Sequence, residues 1–403
     1  MKSAAHVLPR GLRACLATLV TLWLAACAAP QATSVSNELP FEQAVAKATD
    51  GLVSQTQTLP AFLAKVESKL AKRGVVVDPF LDSSTGQQTG ATKLFEKRVS
   101  DRLASTHDVF DLLPFQSANL SKAQYLLTGT MTRAQGEHAR HVFKLNLALT
   151  ELRSGKVVAQ ASAQAQGAGL DNNPLPYYRD SPVLVKDQVL EGYIRSTATA
   201  PGQKADAFYL DRIAAATLIN EATNLYNSER YQEALGQYRS ALATPAGEQL
   251  RVLNGIYLAN VKLGRTAEAE TAFGKVVAMG IAYNELGVKF LFNPGSTEFW
   301  SDARISGAYG MWLRQIARES TAAKVCMNII GHTSRTGSEQ SNDSLSLQRA
   351  AYVKQRLTAE AANLGPRTKA TGMGFRQNIV GSGSDNAVDA LDRRVEFKIV
   401  GCN

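Results

Sequence analysis

Apolar residues in the first hundred positions of the chain recur at helical spacing. Three amphipathic helices are predicted from this period, at Phe41, Val45 and Leu52, at Phe62, Val66 and Leu70, and at Phe95, Val99 and Leu103. Gly74 is expected to end the second helix, because glycine is common just after a helix. The apolar run Val75–Val77 that follows predicts a buried strand.

From Tyr125 onward the pattern changes from helical to extended. Strands are predicted at residues 125–131, at 143–149, where apolar residues alternate strictly, and at 157–160. The last two are separated by the turn Arg153-Ser154-Gly155-Lys156. Residues 40–167 are therefore predicted to form an α+β domain.

The middle of the chain divides into a proline-containing segment and a helical repeat. Prolines at 174, 176, 182 and 201 preclude a continuous helix, so an extended connector is expected over residues 168–206. In residues 207–284 the pattern Ala234, Tyr238, Ala241 recurs as Ala269, Phe273, Val276, each residue 35 positions later. This spacing is close to a repeat of about 34 residues built from helix pairs.

The last segment, residues 285–403, alternates strand and helix. Strands are predicted at 288–292, 325–330, 368–372 and 394–400. A helix that Ser301 can cap places six apolar residues on one face, namely Ile305, Ala308, Tyr309, Trp312, Leu313 and Ile316. A second helix places Leu347, Ala350, Leu357, Ala361 and Leu364 inward before Gly365-Pro366. The predicted fold class is multi-domain α+β: an α/β N-terminal domain, a short α-helical repeat region and a C-terminal α/β sandwich.

The amino-terminal residues carry a secretion signal. Lys2, Arg10 and Arg13 precede the apolar run 14–26, which ends in Leu24-Ala25-Ala26-Cys27. That ending resembles the bacterial lipobox, which implies cleavage after residue 26 and lipid attachment to Cys27. Ala28 in place of Asp implies sorting to the outer membrane. Residues 27–39 would then be a lipidated tether; the alternative is a free thiol after an ordinary signal peptide.

Composition and charge narrow the function. With 403 residues, 45% of them hydrophobic, the chain is long enough for several folded domains and is not wholly disordered. No stretch beyond residue 30 reaches the roughly 18 to 20 apolar residues of a membrane span. The net charge of +9 includes three cations of the signal segment, which leaves +6, and no basic stripe with interleaved aromatics indicates nucleic-acid binding.

The sequence predicts a different chemical state for the cysteines of the signal segment and those of the last domain. Cys15 leaves with the signal and Cys27 is lipidated, so Cys326 and Cys402 are the thiols that remain in an oxidising compartment. A disulfide between them is the hypothesis, and two isolated thiols are the alternative.

The first two folded parts resemble known modules. Asp78-Pro79-Phe80 after a strand, residues 123–129 (Ala-Gln-Tyr-Leu-Leu-Thr-Gly) and the strand pair split by Ser-Gly-Lys are similar to envelope lipoprotein domains that include FlgO and CsgG. That resemblance implies a protein-interaction module without catalytic residues. Residues 207–284 resemble tetratricopeptide repeats, which implies binding of envelope proteins that the sequence does not identify; a plain helical spacer is the alternative.

The final segment resembles the OmpA-like C-terminal domain. The motifs that carry this resemblance are Gly331-His332-Thr333-Ser334, Thr336-Gly337, Asn342, Leu345-Ser346, Arg349-Ala350, Gly372-Met373-Gly374 and Asp392-Arg393-Arg394-Val395-Glu396. The family implies non-covalent binding of peptidoglycan through diaminopimelate in the stem peptide. Arg349 would hold a carboxylate with two parallel hydrogen bonds, Asn342 and Arg393 would add contacts, and the backbone around Asn293 and Gly295 would line the pocket.

Ser334 departs from the family, which has an aspartate at this position to meet the ligand's ammonium group. Serine cannot neutralise a cation, so binding is expected to be weaker or differently selective, unless Glu339 or Asp343 substitutes. The alternatives are that Ser334 is a turn residue in a domain that has lost its ligand, and that Arg349 forms a structural salt bridge.

Other chemical motifs do not develop into sites. His138 and His141 have a metal-like spacing but lack acidic or cysteine partners, and no nucleotide-binding loop or catalytic elbow is present. The sequence therefore predicts no metal, no cofactor and no enzymatic activity. It predicts an outer-membrane lipoprotein that binds peptidoglycan and tethers or scaffolds envelope proteins; the alternative is a periplasmic adaptor that no longer binds peptidoglycan.

Overall fold

The structure is a computed structural model that describes residues 38–56, 72–107, 109–134, 142–293, 295–379, 383, 389 and 392–402. The signal segment, the lipobox with Cys27, the helix predicted around Val66 and the pair His138 and His141 lie outside the described residues. Within the described ranges, no helix is long and apolar enough to cross a membrane.

The N-terminal domain is a seven-stranded mixed sheet with helices packed on it. Its elements are β1 (Glu38–Leu39), α1 (Phe41–Thr56), β2 (Arg73–Val77), β3 (Leu81–Asp82), α2 (Gly90–Thr106), β4 (Phe110–Leu113), α3 (Ser117–Leu120), β5 (Tyr125–Arg133), β6 (Val142–Glu151) and β7 (Lys156–Gln166). The strand order is β1-β7-β6-β5-β2-β4, with β3 pairing β5 off this path. Strands β5, β6 and β7 form an antiparallel meander, and their apolar side chains, with those of α1 and α2, form one core.

The prediction that Gly74 ends a helix is wrong, because Gly74 lies inside β2. A Cβ atom at this position would lie 2.6 Å from the backbone oxygen of Lys122. The glycine therefore serves a close approach of two chain segments rather than a helix terminus.

The proline-containing segment is more ordered than an extended connector. It includes α4 (Pro176–Asp180) and α5 (Gln188–Ala198). Pro176 occupies the start of α4, where its missing N–H costs nothing, so the proline begins a short helix instead of preventing one. On α5 the buried Tyr193 donates its hydroxyl to the backbone oxygens of Pro79 and Gly129, which attaches this segment to the N-terminal sheet.

The helical region consists of a short helix and two longer helix pairs. These are α6 (Ala207–Leu210), α7 (Ile213–Asn227), α8 (Tyr231–Leu242), α9 (Leu250–Lys262) and α10 (Thr266–Ala282). The repeated aromatic positions are both fully buried, Tyr238 on α8 and Phe273 on α10. Tyr238 packs over Gly255 of α9, where a Cβ atom would lie only 2.4 Å from the ring. The repeated helix pairs that the spacing predicts are present.

The C-terminal domain is a four-stranded sheet with two long helices. Its elements are β8 (Leu286–Val288), α11 (Ala303–Ser306), α12 (Tyr309–Ala322), β9 (Cys326–Gly331), α13 (Glu339–Glu360), β10 (Thr368–Gly372) and β11 (Val395–Val400). The strand order is β10-β9-β11-β8, with β10 parallel and β11 antiparallel to β9. The predicted multi-domain α+β fold class is confirmed.

Three local predictions in this domain are wrong. The first strand ends at Val288, and Phe292 instead forms an isolated bridge with Phe299. Asp302, not Ser301, caps the following helix by accepting a hydrogen bond from the backbone N–H of Arg304 at 2.9 Å.

Leu347 is the third error, because its side chain is 46% exposed. Val353 faces the core instead, together with Ala350 and Leu357. The helix also ends at Glu360, before the last two residues predicted to lie on its inner face.

Cys326 and Cys402 are joined by a disulfide bond. Cys326 begins β9 and pairs with Val400 at the end of β11, so the bond lies just beyond the last rung between two neighbouring strands. It closes a loop with a sequence separation of 76 residues that contains most of the C-terminal domain.

The helical region and the C-terminal domain share one hydrophobic core. Phe273 of α10 stacks on Trp312 of α12, with ring centroids 5.7 Å apart. The indole N–H of Trp312 donates to the hydroxyl of Tyr257 at 2.8 Å. These contacts pack α12 of the C-terminal domain against α9 and α10 of the helical region.

Candidate ligand-binding site of the C-terminal domain

Arg349 lies on α13 with its side chain almost fully buried, at 3% exposure. Its Nε donates to the backbone oxygen of Ser296 at 3.1 Å, and Nη2 donates to the backbone oxygen of Asn293 at 3.3 Å. The guanidinium carbon lies 4.8 Å from the centre of the Phe292 ring. These contacts orient the guanidinium plane, which is the property that paired hydrogen bonds to a carboxylate require.

The loop before α11 brings two predicted pocket residues to Arg349. Asn293 supplies a carbonyl oxygen, and Gly295 adopts a φ of 63°, a conformation that glycine tolerates without strain. The N–H of Ser296 donates back to the oxygen of Asn293 at 3.1 Å, which closes the turn. The structure therefore places Arg349 against the turn that contains Asn293 and Gly295.

Ser334 follows the end of β9 and is buried. The preceding residue, Thr333, donates its backbone N–H to the oxygen of Gly374 at 2.9 Å, and this bond joins the end of β9 to the segment after β10. The Thr333 hydroxyl is buried, and among the described residues it has no hydrogen-bond partner. Residues 333 and 334 therefore contribute hydroxyl groups, and no carboxylate, to this part of the site.

Asn342 braces its own loop. Its Nδ2 donates to the backbone oxygens of Thr336 at 2.7 Å and Ser338 at 2.9 Å. Because both amide hydrogens are used in this way, only the side-chain oxygen of Asn342 is left for a ligand.

The two acids suggested as substitutes for the missing aspartate already have a partner. Arg376 lies 2.5 Å from Asp343 and 3.4 Å from Glu339. The hydrogen bond that Arg376 donates to Asp343 raises the pKa of the guanidinium, as expected for a paired arginine. Either acid would have to give up Arg376 before it met a ligand cation.

His332, Arg394 and Glu396, which the sequence analysis listed only as motif residues, form a partly buried cluster beside Ser334. Arg394 donates through Nε to Glu396 at 2.7 Å, and His332 places Nε2 3.5 Å from the same carboxylate. Burial raises the pKa of Glu396, but His332 and Arg394 outweigh it and bring the value to about 2. Burial lowers the pKa of His332, so the imidazole is neutral and structural near pH 7. The signal in the sequence was the spacing of Arg394, directly before β11, and Glu396 on it, since residues two apart in an extended chain lie on one face.

Arg393 lies half-buried between this cluster and the fully buried Asp392. Asp392 accepts hydrogen bonds from the backbone N–H of Ile379 at 2.7 Å and from Asn378 at 3.1 Å. These bonds hold the chain on which Arg393 lies. Within the described part of the chain, no group of acidic, histidine or cysteine residues is arranged to bind a metal ion.

Residues 291–390 match the sequence model of the OmpA family. This match covers the helices, the loops and the Arg349 site described above, so the C-terminal part of the chain is an OmpA-family domain. The predicted tetratricopeptide and FlgO/CsgG-like assignments are not confirmed by any comparison and stay predictions.

Two solved structures are similar to part of the chain. The peptidoglycan-associated lipoprotein from Burkholderia pseudomallei is 24% identical, with 28% of this chain and 89% of that chain covered and a TM-score of 0.24. A putative MotB-like protein from Desulfovibrio vulgaris is 20% identical, with 34% and 98% covered and a TM-score of 0.24. A search of curated proteins found no match.

Proposed function

We propose that this protein is a lipid-anchored protein of the bacterial outer membrane that binds peptidoglycan non-covalently through its C-terminal domain. The observation that carries the proposal is Arg349, a buried arginine that backbone oxygens orient inside a domain of the OmpA family. A carboxylate of diaminopimelate is the ligand group proposed for it, with Arg393 and the turn at Asn293 and Gly295 around it. Cys27 is the proposed site of the lipid.

The upstream modules are proposed to bind envelope proteins. The shared core of the helical region and the C-terminal domain supports a scaffold, because a partner held on α7 to α10 would be fixed relative to the cell wall. Tyr193, buried against the N-terminal sheet, extends the same connection to the N-terminal domain. In this proposal the partner-binding helices and the peptidoglycan-binding domain act as one rigid unit.

Replacing Arg349 with alanine is expected to abolish pelleting of the mature, lipid-free chain with purified sacculi. Losing a charged, bidentate contact costs several kcal/mol when the ligand carboxylate is left unpaired, so affinity falls by about 100-fold. Arg349→Lys keeps the positive charge but loses the planar pair of donors, and we expect intermediate binding. Co-sedimentation at increasing sacculus concentration measures the affinity of the wild type and of both variants.

Arg356→Ala is the matched control, since it removes the same charge two turns further along α13. It should pellet like the wild type. Because Arg349 is buried, its loss also removes packing on Phe292 and could unfold the domain. Circular dichroism therefore has to show that each variant is folded. Equal pelleting by folded Arg349→Ala and wild type would contradict the proposed role.

Ser334→Asp is expected to strengthen binding of a diaminopimelate-containing muropeptide by about fivefold, because a hydrogen bond to a charged group exceeds a neutral one by about 1 kcal/mol. Ser334→Asn has nearly the same shape without the charge and should bring no gain. Titration calorimetry at pH 7 distinguishes the two. Equal affinities for the Asp and Asn variants would show that no ligand ammonium meets this position.

The second candidate function is a protein adaptor whose C-terminal domain no longer binds peptidoglycan. The observation that favours it is the absence of a free acid among the predicted ones: position 334 is serine, and Glu339 and Asp343 contact Arg376. Under this function neither the wild type nor the Ser334→Asp variant pellets with sacculi.

A further inference from the structure

A second cleft lies where the N-terminal domain meets β8 and β11 of the C-terminal sheet. Its volume is about 380 Å³, near the lower end of the roughly 300 to 1,000 Å³ typical of small-ligand sites. The walls come from the turn after β3, the segment before α5, the turn before β8, and β11. The residues used below are Ser84, Thr85, Leu184, Lys186, Glu285, Leu286, Phe397 and Lys398.

Three ionisable side chains of this lining have no ionic partner in the part of the chain that the structure describes. Among the described residues, Lys186, Lys398 and Glu285 take part in no ion pair and no side-chain hydrogen bond. Arg394 and Glu396, which also line the cleft, neutralise each other at 2.6 Å. The charge that the cleft offers to a ligand is therefore two ammonium groups and one carboxylate.

The environment of Glu285 favours a cation beside it. Partial burial raises the pKa of this carboxyl although the residue as a whole is exposed, and the neighbouring charges of Asp187 and Glu191 raise it further. A positively charged ligand group would relieve this repulsion. The lysines lie on other walls of the cleft, Lys186 on the segment before α5 and Lys398 on β11.

The remaining walls are preformed. Leu286 and Phe397 are buried core residues that provide an apolar floor. The turn carrying Ser84 and Thr85 is held by Asp82, whose Oδ1 accepts both backbone N–H groups at 2.9 Å. The Thr85 hydroxyl donates to the same carboxylate at 3.1 Å and accepts from the backbone N–H of Gln87, so the hydroxyl that this turn offers to a ligand is that of Ser84. Its fixed position means that little of the chain has to be ordered on binding.

We propose that this cleft binds a zwitterionic amino acid or short peptide, with its ammonium group at Glu285 and its carboxylate between Lys186 and Lys398. The ligand would contact both the N-terminal and the C-terminal domain, since the turn at Ser84 and Thr85 belongs to the first and β11 to the second. This site is separate from Arg349, which does not line the cleft.

The test is titration of the mature full-length chain with the dipeptide alanylalanine, followed by NMR or calorimetry. Saturable binding is expected. Alanylalanine amide and N-acetyl-alanylalanine, which each lack one charge, should bind about tenfold more weakly, the change that 1.4 kcal/mol produces. Equal binding of free and blocked dipeptides, or no saturable binding at millimolar concentration, overturns the proposal.

Variants assign the contacts. Glu285→Gln and Lys398→Met should each weaken alanylalanine by about tenfold, and both positions are exposed enough to tolerate the change. Lys369→Met, on the edge strand β10 of the same sheet, is the matched control and should change nothing. Arg349→Ala should leave dipeptide affinity unaltered, so failure of this proposal and failure of peptidoglycan binding give different results. If Glu285→Gln and Lys398→Met bind like the wild type, the ligand is not in this cleft.

Discussion

Replacing Cys326 and Cys402 together by serine is expected to lower the free energy of unfolding by about 4 to 5 kcal/mol. The bond closes a loop with a sequence separation of 76 residues, and the loop-entropy relation gives this magnitude for a loop of that length. The cost is large because the constraint acts on the unfolded chain, which gains freedom when the bond is removed. Native contacts change little, since Cys402 is exposed and Cys326 is only half-buried.

Denaturant unfolding followed by tryptophan fluorescence measures this effect. Trp300 and Trp312 are the two tryptophans beyond the predicted signal segment, and both belong to the C-terminal domain. The wild type in reductant should unfold like the double-serine variant, and reductant should not alter the variant. If the oxidised wild type and the variant share one midpoint, the bond contributes nothing to stability.

The disulfide bond also fixes the last strand of the C-terminal sheet. Strand β11 is the last strand in the chain, and it lies between β8 and β9 in the sheet. The sheet is therefore continuous only when β11 has been added, and the bond to Cys402 keeps the end of β11 beside the start of β9.

Much of the fold could be predicted because local periodicity and core position agree. The alternation in residues 143–149 corresponds to β6, and the helical spacing of Phe95, Val99 and Leu103 corresponds to three buried positions on α2. The 35-residue recurrence placed Tyr238 and Phe273 at equivalent buried positions. In each case one short segment contained the whole signal.

The errors arise where a neighbour elsewhere in the chain decides the outcome. Gly74 reads as a helix terminus, but the backbone of Lys122 requires a glycine there. Leu347 fits an inward helical position, yet its side chain is exposed because the C-terminal sheet contacts another face of α13. Pattern analysis of one segment contains no information about such contacts.

In the candidate site, too, local motifs could be predicted and contacts between distant segments could not. Arg349, Asn293 and Gly295 could be grouped from family motifs, and the structure places them together. The pairing of Asp343 with Arg376 joins α13 to a loop 33 residues away, so no local pattern shows it. This pairing changes the expected chemistry, because it engages the acids that were suggested to replace the missing aspartate.

Asp78 is the residue whose titration is expected to have the largest effect on stability. It follows β2 and is almost fully buried where the N-terminal domain meets the helical region, and Tyr209 of α6 donates its hydroxyl to Oδ2 at 2.5 Å. Burial raises the pKa of Asp78 to about 7; the Tyr209 hydrogen bond and the charge of Arg251 limit the rise, and Glu96 adds to it. The folded protein therefore holds this proton up to a pH at which the unfolded chain has released it.

The sign of the pH dependence follows from that difference. Between pH 4 and pH 7 the folded state binds more protons at Asp78 than the unfolded state, so stability falls as the pH rises. The decrease attributable to Asp78 is about 4 kcal/mol over this range, at about 1.4 kcal/mol for each unit between the two pKa values. Above pH 7 both states are ionised and the decrease stops.

Asp78→Asn is expected to remove this part of the pH dependence, because an amide remains neutral at every pH and its oxygen still accepts the Tyr209 hydroxyl. The variant should match or fall slightly below the wild type at pH 5 and exceed it at pH 8, by up to the about 4 kcal/mol that ionisation of Asp78 costs. Denaturant unfolding at both pH values gives the difference. Asp101→Asn, at an exposed position on α2 beside Lys97, is the control and should follow the wild type at both pH values. If Asp78→Asn gains nothing on going from pH 5 to pH 8, the carboxyl is already ionised at pH 5, and the junction between the two regions tolerates its charge.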